Sequence, residues 1–108
     1  MIERVTIYAT QDARHVNLTP ALDHGDRIVA MTPSGDANFS PSDTVARLHD
    51  VFDNFQPGRD KVLMVGDPLV MMMVGAVYRD RFDEPLKVLK WDRMANRYIE
   101  IEIDFNIL

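Results

Sequence analysis

A chain of 108 residues, 46% of them hydrophobic, is long enough for one compact domain with a single core and too short for two. The 12 Lys and Arg residues against 17 Asp and Glu give a net charge of -5, which speaks against general affinity for nucleic-acid backbone or an anionic membrane, since both reward a basic surface. With no cysteine the chain has no disulfide, no thiolate nucleophile and no zinc-thiolate site.

Val5 to Thr10, VTIYAT, is β-branched and aromatic and reads as a first strand, with Thr10, Gln11 and Asp12 at its exit. Thr19-Pro20-Ala21-Leu22-Asp23-His24-Gly25 carries a capping residue, a proline at the first helical position and a terminating glycine, so one short helical turn is expected. Arg27 to Met31 is a second strand. Thr32-Pro33-Ser34-Gly35-Asp36 has loop chemistry. Ser40, as a cap, opens a helix that runs to about Phe55, with Val45, Leu48, Phe52 and Phe55 on one face. Gln56-Pro57-Gly58 stops it.

The stretch from Lys61 to Arg81, KVLMVGDPLVMMMVGAVYRDR, reads as a buried strand running straight into a buried helix. Gly66 ends the strand. Asp67 can accept hydrogen bonds from the first helical turn, and Pro68 occupies the position where no donor is needed. From Leu69 to Val77 every residue is apolar or glycine, and at 100° per residue such a run covers the whole circumference of the helix. One sheet cannot cover all of it. An outer patch drawn from Leu69, Val70, Met72, Met73 and Val77 is therefore expected to be buried by self-association or a partner. The run is far shorter than the roughly twenty residues a membrane span needs, so no membrane is expected.

Leu86 to Asp92 and Tyr98 to Phe105 read as an antiparallel hairpin, because the second alternates strictly: Ile99, Ile101, Ile103 and Phe105 on one face, Glu100, Glu102 and Asp104 on the other. Facing Trp91 with Ile99 and Leu89 with Ile101 keeps apolar side chains together and leaves Met94-Ala95-Asn96 as the connection. Val88 and Leu86 then point the wrong way, which asks for a bulge near Lys87 or burial on both faces. The element order predicts a single domain over residues 1–108: a small three-layer Rossmann-like α/β sandwich with parallel early strands and a C-terminal antiparallel hairpin. In that fold the carboxyl ends of the first and third strands lie together, bringing Thr10, Gln11 and Asp12 within reach of Gly66 and Asp67.

LTPAL at Leu18 to Leu22, FSP at Phe39 to Pro41, TVARL at Thr44 to Leu48, VLMVGDP at Val62 to Pro68, and LKWDR with YIEIEID at Leu89 to Asp104 resemble a group of small proteins encoded by tailed bacteriophages. The resemblance covers the chain from about Asn17 onward, and its most specific part is VGDP followed some twenty residues later by LKWDR. It implies a protein made in the cytoplasm of an infected bacterium, and it carries over no activity and no functional residue. The absence of a leader or lipidation signal fits the same expectation.

Two function classes remain. The first is a non-enzymatic interaction protein that binds itself and, as a second candidate partner, a host protein. The alternative is a small phosphate- or nucleotide-binding domain or enzyme, using Thr10, Asp12, Gly66 and Asp67 at the strand-end corner. The ordinary role of Asp67 is a helix cap, and the corner has neither a dinucleotide glycine pattern nor a Walker lysine. No cofactor is implied. His15, His24 and His49 have no metal-ligand spacing, so no metal is expected. Glu100, Glu102 and Asp104 recur at about 6.8 Å, twice the strand rise, which approaches phosphate spacing on DNA. Lys87, Lys90, Arg93 and Arg97 lie close enough to neutralise much of that stripe, and charge on an edge strand also blunts unwanted pairing.

Overall fold

The computed structural model describes residues 4–34 and 40–106. Five strands, β1 (Thr6–Ala9), β2 (Arg27–Ala30), β3 (Lys61–Leu63), β4 (Leu86–Asp92) and β5 (Arg97–Ile103), form one sheet in the order β2-β1-β3-β4-β5. The first four are parallel and β5 runs antiparallel to β4. A six-residue 3-10 helix, Thr19–His24, links β1 to β2; α1 (Pro41–Phe52) links β2 to β3, and α2 (Pro68–Arg81) links β3 to β4. Among the described residues no helix is long and apolar enough to cross a membrane. Of the predicted loop after β2, Gly35 and Asp36 lie outside the described residues, as does Phe39 of the FSP motif.

Strand alternation sorts the core into two faces. Tyr8, Val62, Leu86 and Val88 point to one side, where α1 and α2 pack over them through Leu48, Phe52, Val70, Val74 and Val77. Ile7, Ala9, Leu63, Leu89 and Tyr98 point to the other, against Ala21 of the 3-10 helix. The third layer is therefore thin, and polar contacts fix it. Lys61 Nζ donates to the His24 carbonyl at 2.7 Å and pairs with Glu100 at 2.6 Å, while His24 Nε2 sits 3.0 Å from the Tyr98 carbonyl.

Four local expectations need correction. The helix predicted to reach Phe55 ends as α1 at Phe52, because Asn54 and Phe55 donate to Val51 and Phe52 three residues back, a tightening that turns the Phe55 ring into the core ahead of Pro57. Ser40 stands at the start of α1 without a side-chain cap bond; its carbonyl accepts from both the amide and the hydroxyl of Thr44 instead. β5 begins at Arg97 and stops at Ile103, short of Phe105.

The fourth concerns the hairpin register. Trp91 faces Tyr98, Lys90 faces Ile99, Leu89 faces Glu100 and Val88 faces Ile101, one residue away from the expected pairing. A one-residue slip exchanges the faces of a strand. The turn that sets it spans residues 93–96, with Asn96 in the left-handed region at φ 53°. In this register Val88 and Leu86 join Ile101 and Ile103 on the helix face and no bulge is needed, while Trp91 and Tyr98 meet edge to face at 5.1 Å on the other.

Candidate functional site

In an open α/β sheet the strand order reverses at one point, and the crevice outside the carboxyl ends there is where ligands bind. Here β1 sends one connection to β2 on its left and, through β2, another to β3 on its right. The exits of β1 and β3 meet closely. The Thr10 amide donates to the Leu63 carbonyl, and the Thr10 hydroxyl both donates to the Val65 carbonyl and accepts from the Val65 amide. Gln11, almost fully buried, accepts from the Asp67 amide at 2.8 Å. Asp67 in turn accepts from the Leu69 amide at 2.9 Å and caps α2.

These bonds describe a sealed joint. Gly66 has φ +89°, and a Cβ there would lie 2.4 Å from Gln11 Oε1, so only glycine lets the two exits close on each other. Asp12 is more open and pairs with Arg14 at 3.6 Å. Gln11 was expected at the exit of the first strand within reach of Gly66 and Asp67, and it is the side chain that bonds the Asp67 amide. Asp67→Ala is expected to destabilise the fold by about 1 kcal/mol in urea unfolding, the usual effect of losing a helix cap.

Beside this joint lies a polar crevice of about 700 Å³, lined among the described residues by Gln11, Thr32, Ser34, Asp43, Arg47 and Asp50. The Thr32 hydroxyl donates to the Thr10 carbonyl, so it too is tied to the backbone. Among the described residues no three His, Cys, Asp or Glu side chains converge in a way that could hold a metal ion.

A second concavity has a different character. It is an apolar slot of about 340 Å³ between α2 and the helix face of β4 and β5, walled by Met71, Met72, Gly75 and Ala76 on the helix and by Met64, Val88 and Ile103 on the sheet. The residues expected to form an outer patch divide here. Val70 and Val77 are buried against the chain's own sheet, because Val70, Val74 and Val77 recur at helical spacing on the inward face. Leu69 is half-buried, and Met73 packs on the core beneath α1. Met72 is 73% exposed. The exposed apolar surface therefore runs along Met72 and Ala76 and down the slot, where it meets Met64 and Ile101, exposed by 38% and 39%.

Gly75 stands out within this wall. A Cβ at that position would meet no atom within 4 Å, and no positive φ calls for glycine. A mid-helix glycine costs about 1 kcal/mol relative to alanine, and nothing in the packing of one chain compensates for it.

The acidic stripe of β5 is neutralised from its neighbours. The hydrogen bond donated by Lys61 holds the Glu100 carboxyl below its ordinary value against the upward push of burial, with the charges of Lys61, Lys87 and His24 acting in the same direction as the bond. Glu102 faces Lys87 directly across the hairpin.

A model of the family described as phage Pam3 gp32-like protein matches residues 4–105. The match extends the resemblance read from sequence back through β1 and the Thr10 to Asp12 exit. No curated protein and no solved structure matches the chain.

Proposed function

The chain belongs to the phage Pam3 gp32-like protein family, and on that premise we propose that it is a non-enzymatic phage accessory protein that works in the host cytoplasm through protein-protein contact. The observation that carries this reading is the continuous apolar surface formed by the Met72 ridge and the slot beside it. Methionines are flexible and polarizable, which suits a contact surface that must fit a partner. Exposed apolar area gathered in one place, beside a groove, is the usual mark of an interaction site. The candidate partners are a second copy of the chain and a bacterial protein of the infected cell.

The test is binding by the immobilised chain and by its Met72→Glu variant, with a lysate of the host as the source of partners and mass spectrometry as the readout. A charge on the ridge removes apolar contact without touching the core. Met72→Glu is expected to keep the circular dichroism of the parent and to lose at least ten-fold of the bound partner. Equal capture by both proteins rules the surface out.

The polar crevice supports a second reading, a small ligand-binding domain or enzyme, because it lies at the carboxyl ends of β1 and β2 where such sheets hold phosphates and nucleotides. Thermal-shift measurements against inorganic phosphate, nucleotides and divalent metals distinguish the two. Stabilisation by one of them that disappears in a folded Arg47→Ala variant, which alters the crevice lining, favours the crevice; no shift with any of them favours the apolar surface.

A further inference from the structure

We propose that the slot is filled by α2 of a second copy of this chain, in a two-fold dimer in which each copy's Met72 ridge lies on the other copy's β4 and β5. The inference rests on the reading of this surface as a protein contact, and it names the partner.

Two apolar deficits sit side by side on one molecule. α2 carries an outward ridge, Met72 and Ala76, with nothing above it, and beside it on the helix face of the sheet stand the exposed Ile101 of β5 and Met64 just past β3. One symmetry operation satisfies both. A two-fold axis parallel to α2 and running along the slot sets the two α2 helices side by side between the two sheets. Each ridge then rests on the partner's sheet, and the surface closes on itself as an isologous contact. The same operation accounts for an α2 that is apolar around its circumference: one side faces its own sheet, the opposite side faces the partner's.

Gly75 falls where the two helices meet. Its missing side chain has no use inside one copy, since a Cβ there touches nothing. Across the axis it allows two helix backbones to approach more closely than larger residues permit.

Charge agrees with the arrangement. An axis along the helix keeps the two α2 helices parallel, so the partner's N-terminal end arrives at the carboxyl end of β4. The Met64 amide donates to the Leu89 carbonyl, which places the start of α2 level with the exposed Lys90 and with Arg97 across the hairpin. The acid that caps α2, Asp67, therefore approaches Lys90, with Arg97 two residues further on and facing Asp92 across the hairpin. At the other end Arg79 already pairs with Asp83 of its own chain at 3.5 Å, so the charge agreement comes from the amino-terminal end of α2. A helix of the 14 residues of α2 is about 21 Å long and about 10 Å across, and covering its ridge and one flank in both directions buries on the order of 700 Å² per copy, close to the roughly 800 Å² of a stable interface.

Sedimentation equilibrium on the full chain tests the proposal, together with single-cysteine variants, which the cysteine-free sequence makes clean. The parent is expected to be a dimer at tens of micromolar. Gly75→Leu and Met72→Glu, each folded by circular dichroism, are expected to weaken the dimer at least 100-fold. Gly75→Cys is expected to oxidise to a covalent dimer, while Arg93→Cys at the hairpin turn forms no covalent cross-link under the same conditions. A parent that is monomeric at 200 micromolar overturns the proposal, and so does a dimer indifferent to both Gly75→Leu and Met72→Glu. A monomer that still loses a host protein on Met72→Glu sinks the dimer and leaves the contact surface standing; a monomer whose partners ignore Met72 sinks both.

Discussion

Asp60→Asn is expected to lower the stability of the chain by about 3 kcal/mol at pH 7, measured by urea unfolding, although it changes only an oxygen to an amide. Asp60 is 1% exposed, and each of its carboxylate oxygens accepts two hydrogen bonds. Oδ1 takes the Thr6 amide at 3.1 Å and Arg59 Nε at 2.9 Å; Oδ2 takes the Gln56 amide at 2.9 Å and Arg59 Nη2 at 3.0 Å. The carboxylate thus ties the start of β1 to the turn before β3 and neutralises a guanidinium. An asparagine offers one acceptor, and whichever way it turns, its NH2 faces a backbone donor and an arginine. The same geometry predicts the dependence on pH. Burial pushes the Asp60 carboxyl up, but hydrogen bonds from Arg59, Gln56 and Thr6 and the Arg59 charge together hold it below its ordinary value. A group whose folded value is lowered contributes its stability above the unfolded value, about 3.8, and loses it as pH falls through the folded one. The gap between parent and Asp60→Asn should therefore narrow below about pH 4. A gap of the same size at pH 2.5 and pH 7, or no gap at pH 7, shows that the carboxylate does not hold the two strands.

What could be read from sequence follows the range of the interactions involved. The corner Gly66-Asp67-Pro68 is local chemistry, a turn glycine, a cap and a first-turn proline, and α2 starts at Pro68 with Asp67 bonded to Leu69. The parallel order with a C-terminal hairpin follows from alternation and element order, which survive compression into a one-letter string. The hairpin register did not, because it depends on whether the turn holds three residues or four, and Asn96 in the left-handed region decides that. The exposed side of α2 was hidden for a different reason. A run of nine apolar residues has no periodicity to say which side faces inward, and the direction is set by α1 and the sheet, far away in sequence. That is why Val70 and Val77 fall on the buried side while Met64, just past β3, and Ile101 of β5 complete the surface. Asp60 was missed entirely. A single aspartate before a strand looks like loop chemistry, and only the convergence of Thr6, Gln56 and Arg59 upon it reveals a buried ion.

Phe52→Ala should remove about 4 kcal/mol, a large part of the roughly 5 to 15 kcal/mol that holds a domain of this kind folded. Phe52 is fully buried at the end of α1, and its ring meets those of Phe55, Tyr78 and Phe82 at centroid distances of 5.3, 5.8 and 5.9 Å, mostly edge to face. These rings are the principal contact between α1 and α2 at the amino-terminal edge of the sheet. Next to them Arg81 reaches back to the His49 carbonyl and to Asp53, closing the carboxyl end of α1 onto α2. Removing the ring leaves a cavity that its three aromatic neighbours cannot fill, whereas Phe52→Leu keeps most of the volume and should lose no more than about 1.5 kcal/mol. Tyr78→Phe is the contrasting case. It keeps the ring packing and loses the hydroxyl that donates to the Glu84 and Pro85 carbonyls, so about 1 kcal/mol is expected. Burial, with the Glu84 charge added, pushes the Tyr78 phenol up to about 12, so this bond holds through neutral and mildly alkaline pH. The order Phe52→Ala, then Phe52→Leu, then Tyr78→Phe in chemical unfolding tests whether ring volume or the polar anchor fixes α2. If volume dominates, the position of α2 over β3, and with it the width of the slot, is set by the aromatic cluster on its inner side. A Phe52→Leu chain would then stay folded but seat Met72 less firmly, weakening whatever contact the ridge makes. Equal losses for Phe52→Ala and Tyr78→Phe would instead place control of α2 in the two carbonyls before β4.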